Sequence, residues 1–319
     1  MSMISHKAIA TVYNFPAAGG GTLAVAPQSL NNGDTLNVDS GTFQTPSSSN
    51  LSYTVSSNAA TTSGTTITVD SGATISYNGT NAGGAAISSV RTDSNTTTNT
   101  ITTNGTVTNG TGLYAIYLRN SSASSNDTYN ISNTGSITGG IVSSGVKIVN
   151  LNISGTNATV NGTISLAVRS ASGNYSTLNI INGANFTPSN SISNVSIITV
   201  DGTSSLTLNS VSSDIRELDI ASGGTVSVNS ALSGIISDGP ISNNGTMNIA
   251  ANIAKTGLFS GTGTNIVSEP ISVQTSSYSI TNHKAVLGDS LNYGNMSLTT
   301  ASFSTTNFEV TGGTGYFPD

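Results

Sequence analysis

One short phrase recurs along this chain, and it limits what the chain can fold into. Strand-forming residues run into Asn, Asp or Ser, then Gly, then a small polar residue, and strand-forming residues resume. The phrase reads Asn37-Val-Asp-Ser-Gly-Thr-Phe43, Thr68-Val-Asp-Ser-Gly-Ala-Thr-Ile75, Thr102-Thr-Asn-Gly-Thr-Val107 and Ser132-Asn-Thr-Gly-Ser-Ile137. It returns as Thr159-Val-Asn-Gly-Thr-Ile164, Ile180-Ile-Asn-Gly-Ala-Asn-Phe186, Thr199-Val-Asp-Gly-Thr-Ser-Ser-Leu206, Ile220-Ala-Ser-Gly-Gly-Thr-Val226 and Ile241-Ser-Asn-Asn-Gly-Thr-Met247. Its glycines stand at 41, 72, 105, 135, 162, 183, 202, 224 and 245, so successive gaps are 31, 33, 30, 27, 21, 19, 22 and 21. A period near 20 residues is one coil of a β-solenoid, about three short strands and three turns. The longer gaps before residue 162 read as the same coil with an insertion of about ten residues. Ser88–Thr100 and Ser121–Thr128, almost wholly Ser, Thr, Asn and Asp, are the candidate loops.

Each residue type in the phrase has a mechanical reason. Asn-Gly and Asp-Gly accept positive φ and turn the chain sharply. They also signal two-residue hairpins, so a meander of antiparallel hairpins is the rival reading. The flanks alternate with the strand period, as in Ser205-Leu-Thr-Leu-Asn209 and Thr225-Val-Ser-Val-Asn229. That pattern predicts a thin, dry core of Val, Ile and Leu behind a wall of Thr, Ser and Asn. A meander would space its strand pairs at half this period. The expected fold is therefore all-β, a right-handed parallel β-helix with coils of about 20 residues and longer, loop-bearing coils in the N-terminal half.

Composition supports stacking and excludes other classes. Only 7% of the 319 residues are charged, against roughly a quarter in an ordinary domain. In parallel stacking, equivalent residues of neighbouring coils lie about 4.8 Å apart, and a charge repeated in each coil would repel its copies. Asn, Thr and Ser can instead hydrogen-bond along the column. Asn104, Asn161, Asn182, Asp201 and Asn244 are expected to form such a column at one turn. Disorder is disfavoured by the abundance of Val, Ile and Thr, only 7 Pro and a net charge of −6. With 8 Lys+Arg against 14 Asp+Glu, the chain lacks the basic footprint of a nucleic-acid binder. No run approaches the 18 or so apolar residues of a membrane-spanning helix. With no Cys, thiolate chemistry and Cys-based metal sites are excluded.

The ends differ from the middle. Residues 1–27 carry Gly19-Gly-Gly21 and no phrase, and after about 265 the phrase fades while Tyr278, Tyr293, Phe303, Phe308, Tyr316 and Phe317 gather. Three segments are therefore expected: 1–27 as an extension or docking segment, 28–265 as the solenoid, and 266–319 as a cap or assembly segment. A solenoid must cap its terminal coils or polymerise through their open edges. The apolar stretch Ala8–Val12 is interrupted by Asn14 and Pro16, and Ala24-Val-Ala26 imitates a cleavage site without the rest of a signal peptide, so none is read here.

The runs Thr102-Thr-Asn-Gly-Thr-Val-Thr-Asn-Gly-Thr-Gly-Leu-Tyr-Ala-Ile-Tyr-Leu118 and Ile131-Ser-Asn-Thr-Gly-Ser-Ile-Thr-Gly-Gly140 resemble the passenger regions of bacterial autotransporters, and equally surface-layer or adhesin-like exoproteins. The resemblance covers roughly residues 30–265. It implies a β-helix displayed or released at the cell surface as an adhesin, coat or carrier. The C-terminus, ending Gly315-Tyr-Phe-Pro-Asp319, departs from the family by lacking an outer-membrane barrel's ladder of amphipathic strands. No functional residue can be carried over.

Candidates for chemistry are few. Of the two histidines, His6 and His283, the second lies near Asp289 in sequence, but a capping or surface role fits it better than a triad. The densest charge is Asp214-Ile-Arg-Glu-Leu-Asp219, which could hold a cation or an acid–base pair but reads first as an ion-paired turn. Asp39 and Asp70, each before a phrase glycine like Asp201, could share Ca²⁺ if adjacent coils aligned them, the one cofactor the sequence suggests. Gly312-Gly-Thr-Gly315 is a single fragment of a calcium nonapeptide and is discounted. Asn-x-Ser/Thr sequons such as Asn161-Gly-Thr163 are supplied largely by chance in this composition.

The expectation is a non-enzymatic extracellular structural or adhesive protein. It would assemble with copies of itself into a filament or surface coat through its terminal segments, using Ile9, Val12, Tyr13, Phe15, Tyr316 and Phe317. Cell-surface glycans are a further candidate partner. The alternatives are a carbohydrate-binding or carbohydrate-degrading β-helix and, from Thr66-Ile-Thr68 and Thr98–Thr103, an ice-binding array.

Overall fold

The computed structural model describes residues 10–15, 22–24, 28–31, 33–47, 50, 52–57, 64–91, 96–110, 113–120, 127–145, 148–166, 175–233, 239–286, 296–300 and 302–311. Among them every regular element is a β-strand. The chain forms two compact units, Met1–Asn150 and Leu151–Asp319.

In the first unit each coil contributes one strand to each of three parallel stacks. The first stack runs Val12–Phe15, Thr35–Val38, Thr66–Val69, Thr98–Thr103, Thr128–Asn133. The second runs Thr22–Ala24, Gly41–Gln44, Ala73–Tyr77, Thr106–Asn109, Ser136–Thr138. The third runs Gln28–Leu30, Tyr53–Ser57, Ala85–Arg91, Tyr114–Asn120, Gly140–Ser144. Hairpin-connected strands would pair antiparallel, so parallel pairing throughout decides for the solenoid.

The second unit repeats the plan with shorter coils. Polar bonds between its coils join residues 20 apart, as from Thr199 to Asn179 and from Asn229 to Asn209. The corresponding bonds in the first unit span 30 residues from Thr134 to Asn104 and 34 from Asn78 to Gln44. Several of the second unit's strands run round a corner, so Ile192–Val200 and Ser212–Ile220 each serve two stacks. The corner residues Asn194 and Asp214 take φ of 54° and 56°. Asn and Asp tolerate this left-handed region better than other side chains. The pairing runs on past residue 265: Ile271–Val286 lies on Ile253–Val267, and Phe303–Thr311 lies on Ile271–Val286.

The phrase glycines do two jobs. Gly72 has φ of +84°, as positive-φ turn chemistry requires. Gly245 has no positive φ; it is glycine because an added Cβ would stand 2.2 Å from the Gly224 carbonyl oxygen and 2.6 Å from that of Ala221. Coils stacked at strand spacing leave no room for a methyl group there.

Inward-facing apolar side chains form ladders. Leu178, Ile198, Leu218, Ile241, Phe259, Tyr278 and Phe303 succeed one another coil by coil in the second unit. Leu36, Ile67, Ile101 and Ile131 do so in the first, all buried. The outer wall is polar, as the alternation predicts.

Two expectations need correction. Ser88–Arg91 and Thr98–Thr100 are not loop: they belong to the strands Ala85–Arg91 and Thr98–Thr103. The core is also not wholly apolar. Arg91 pairs with Asp127 at 2.9 Å, both buried. Asp127 further accepts from the Asn120 side-chain amide at 2.6 Å and from the Thr97 backbone and hydroxyl at 3.2 and 2.8 Å. The Thr97 hydroxyl also meets Arg91, and it accepts from the Asn99 amide at 3.1 Å. The Asn99 carbonyl accepts from the Thr65 backbone at 3.0 Å. Charge and amide turned inward are invisible to a rule that assigns faces by polarity.

Candidate assembly faces

The first described strand of Met1–Asn150 and the last of Leu151–Asp319 each have one edge with no paired strand among the described residues. In the last, Phe303, Phe308 and Val310 are 56%, 63% and 52% exposed. Their register partners one coil earlier, Tyr278, His283 and Ala285, are buried. Inward-phase residues are thus bare only because no described coil follows. A cavity of about 430 Å³ opens among them, lined by His283, Ala285, Met296, Leu298, Thr300, Phe303 and Phe308.

Behind this face the interior turns aromatic and polar. Tyr278 stacks on Phe303 with centroids 5.5 Å apart and an 8° interplanar angle, and meets Phe259 edge-on at 5.2 Å. His283 stacks on Phe308 at 5.4 Å. A buried hydrogen-bond chain runs inward: His283 Nδ1 to the Tyr278 hydroxyl at 2.9 Å, the Asn265 amide donating to that hydroxyl at 2.9 Å, and the Asn243 amide donating to the Asn265 carbonyl at 2.8 Å. Burial holds the His283 imidazole below its ordinary pKa. It pushes the Tyr278 hydroxyl up to about 12 against the opposing hydrogen bond from Asn265. His283 is therefore an interior packing residue, not the capping or surface residue expected from sequence, and Asp289 lies outside the described residues.

At the other end, Val12–Phe15 pairs with Thr35–Val38 on one edge, and among the described residues its other edge meets nothing. Val12 is 59% exposed, while Tyr13 and Phe15 are half-buried and Phe15 packs on Phe43 with centroids 4.8 Å apart. Ile9, Tyr316, Phe317, His6 and Gly312–Gly315 lie outside the described residues.

The other sequence candidates are placed as follows. Asp214 occupies the left-handed corner that Asn194 fills one coil earlier, so its residue type follows from backbone conformation. Glu217 and Asp219 face outward on the same strand. Partial burial raises the Glu217 pKa, the neighbouring Asp219 raises it further, and Arg216 opposes both. Arg216 covers the Tyr175 ring at 4.9 Å. Asp39 and Asp70 follow the paired residues Val38 and Val69, so coil stacking does bring their turns together. Asp201 is tied down locally by the Asn182 backbone at 2.7 Å and by the Thr203 backbone and hydroxyl, both at 2.9 Å. These bonds, with one from Ser204, outweigh desolvation and lower its pKa to about 2. Asp201 and Asp219 border a shallow groove of about 560 Å³ with Thr199, Ser242 and Asn244. Among the described residues no group of three His, Asp or Glu is placed to hold a metal. Thr66 and Thr68 stack on Thr100 and Thr102, but Asn130 and Ser132 take their places in the next coil.

What sequence reading missed is the direction of the wall's hydrogen bonds. Asn37 donates its side-chain amide to Asn14 at 2.8 Å, Asn150 to Asn130 at 2.9 Å, Asn179 to Asn152 at 2.8 Å, Asn229 to Asn209 at 2.9 Å and Asn307 to Asn282 at 2.7 Å. Each time the later coil donates and the earlier coil accepts. No sequence signal carries this direction, because an Asn can donate either way.

No protein-family model matches this chain, and neither a curated protein nor a solved structure matches it significantly.

Proposed function

We propose that this protein is an extracellular structural or adhesive component of the autotransporter-passenger or surface-exoprotein kind, and that it self-assembles into a filament or surface coat through its terminal strands. The observation that carries the reading is the bare apolar row Phe303, Phe308 and Val310 on the last described strand. A solenoid end with exposed inward-phase aromatics and an open strand edge templates association. The scarcity of charge on the wall suits close packing of many copies. The test is a concentration series of purified protein followed by sedimentation velocity and negative-stain microscopy. Concentration-dependent filaments or sheets are expected; a monomer at all concentrations overturns the proposal.

Carbohydrate binding is the second reading, and one observation favours it. An irregularity between Tyr114 and Ile116 puts Tyr114 and Tyr117 on the same side of their strand, stacked with centroids 5.0 Å apart. Such a platform suits a sugar ring. Glycan-array binding that disappears in Tyr117→Ala would promote this reading, and an array without signal removes it.

A further inference from the structure

Resting on the self-assembly reading, we infer that association is directional: the Val12–Phe15 strand of one copy docks on the Phe303–Thr311 strand of another, in the register that sets Asn14 on Ser304 and Tyr13 on Phe303. The partner is a second copy of this chain, presented head to tail.

Three features of the ends lead to this arrangement. First, all coils pair in parallel, so head-to-tail stacking continues the sheet, whereas a two-fold contact between like ends would set strands antiparallel. Second, the wall's amides are directional. Asn14 uses its carbonyl to accept from Asn37, which leaves its Nδ2 without an acceptor among the described residues. At the far end Asn307 donates from Nδ2 to Asn282, and the outward Ser304 hydroxyl offers an oxygen that can accept. Head on tail sets the free Asn14 amide against the Ser304 hydroxyl and continues the direction of the wall's bonds, later coil donating to earlier.

Third, the register is chosen by the columns. Asn14 heads the outward column Asn14, Asn37, Thr68, Thr102, Ser132. Ser304 closes the outward column Asn179, Thr199, Asp219, Ser242, Ser260, Ser279, Ser304. Both columns occupy the same place in the coil, just before the phrase turn. An Asn amide of one coil donating to a Ser hydroxyl of the coil before already occurs from Asn182 to Ser154 at 2.9 Å, from Asn194 to Ser165 at 2.9 Å and from Asn248 to Ser227 at 3.2 Å. Asn14 on Ser304 repeats that bond between copies. The same register lays Tyr13 on Phe303, extending the ladder Phe259, Tyr278, Phe303 by one ring.

The experiment uses two full-length variants. Val12→Lys with Asn14→Asp blocks the head, placing a cation on the edge and replacing the donor by an acceptor that Asn37 can still use. Phe308→Lys with Val310→Lys blocks the tail at exposed positions. Sedimentation velocity is run on wild type, each variant and their equimolar mixture, with circular dichroism confirming folding. The expected result is assembly of wild type, monomers for each variant alone, and only heterodimers for the mixture. Dimers of the head-blocked variant alone, or wild-type assembly in both variants, overturn the directional contact while leaving self-assembly standing. A monomeric wild type defeats the self-assembly reading itself.

Discussion

In Met1–Asn150 the coils are long and part of the interior is polar, organised round Arg91, Thr97, Asn99, Asn120 and Asp127. In Leu151–Asp319 the coils are shorter, and the inward ladder is aliphatic until it becomes aromatic at Phe259. Both keep the same three-strand plan and the same outward columns. The difference shows two ways of holding stacked coils in register. Where the short coils enclose little more than apolar side chains, as along Leu178, Ile198, Leu218 and Ile241, their burial is enough, and only toward the last coils do Asn243, Asn265 and His283 add buried polar bonds. A long coil encloses room that those side chains do not fill, and fixed polar bonds take it up. Such bonds specify one arrangement but leave expensive groups stranded if one partner is lost.

The largest expected effect breaks the first unit only. Asp127→Ala strands the Arg91 guanidinium in the interior and should cost roughly 3–5 kcal/mol in urea unfolding. Hydrogen exchange should place the loss in the coils around 85–130. The double variant Arg91→Met with Asp127→Leu should recover most of it, since an apolar replacement of a buried pair is often tolerated. If Asp127→Ala costs no more than a surface change, the polar interior is not what holds these coils.

A smaller effect tests the second unit at a tight turn between coils. Gly245→Ala drives a methyl group into the Gly224 carbonyl and should cost roughly 1–3 kcal/mol as overpacking. Gly72→Ala in the first unit meets open space and bears only the left-handed penalty, roughly 1–2 kcal/mol. Equal costs in thermal unfolding would mean that turn conformation, and not coil contact, decides both.

The smallest effects are in pH. Asp201 titrates near 2 in the folded chain against an ordinary 3.8. Its contribution is present above the ordinary value and is lost as pH falls from about 4 through 2. Because the carboxylate is largely solvated, the loss should stay within about 1 kcal/mol. Asp201→Asn should flatten that segment of the stability curve. His283 is held neutral by burial, so stability should also fall as pH drops below the ordinary 6.5. His283→Phe, the residue type of Phe308 in the next coil, should remove that dependence.

Much of the architecture was legible before any coordinates. The glycine spacing gave the coil, and the alternation in Thr225-Val-Ser-Val gave the inward and outward faces. What escaped were polar residues with inward roles. Ser88, Ser89 and Asn99 are buried, yet their polarity reads as loop or wall. The function of Asp214 as a corner had a readable signal: Asn194 stands 20 residues earlier, at the matching place before a Val or Ile. The terminal aromatics stand out as a cluster in the sequence. That Tyr278 and His283 lie inside while Phe303 and Phe308 lie bare follows from coil order, which composition does not encode.

The Gly245 contact inverts the usual map of tolerance to sequence drift. In an ordinary domain the centre is the intolerant region and surface turns vary freely. Here a ladder such as Leu178, Ile198, Leu218, Ile241 already exchanges one aliphatic for another from coil to coil, while the half-buried turn glycine Gly245 admits a methyl group only at a cost. Among diverging copies of such a chain, the half-buried turn would be the slow-changing position and the buried ladder the fast one.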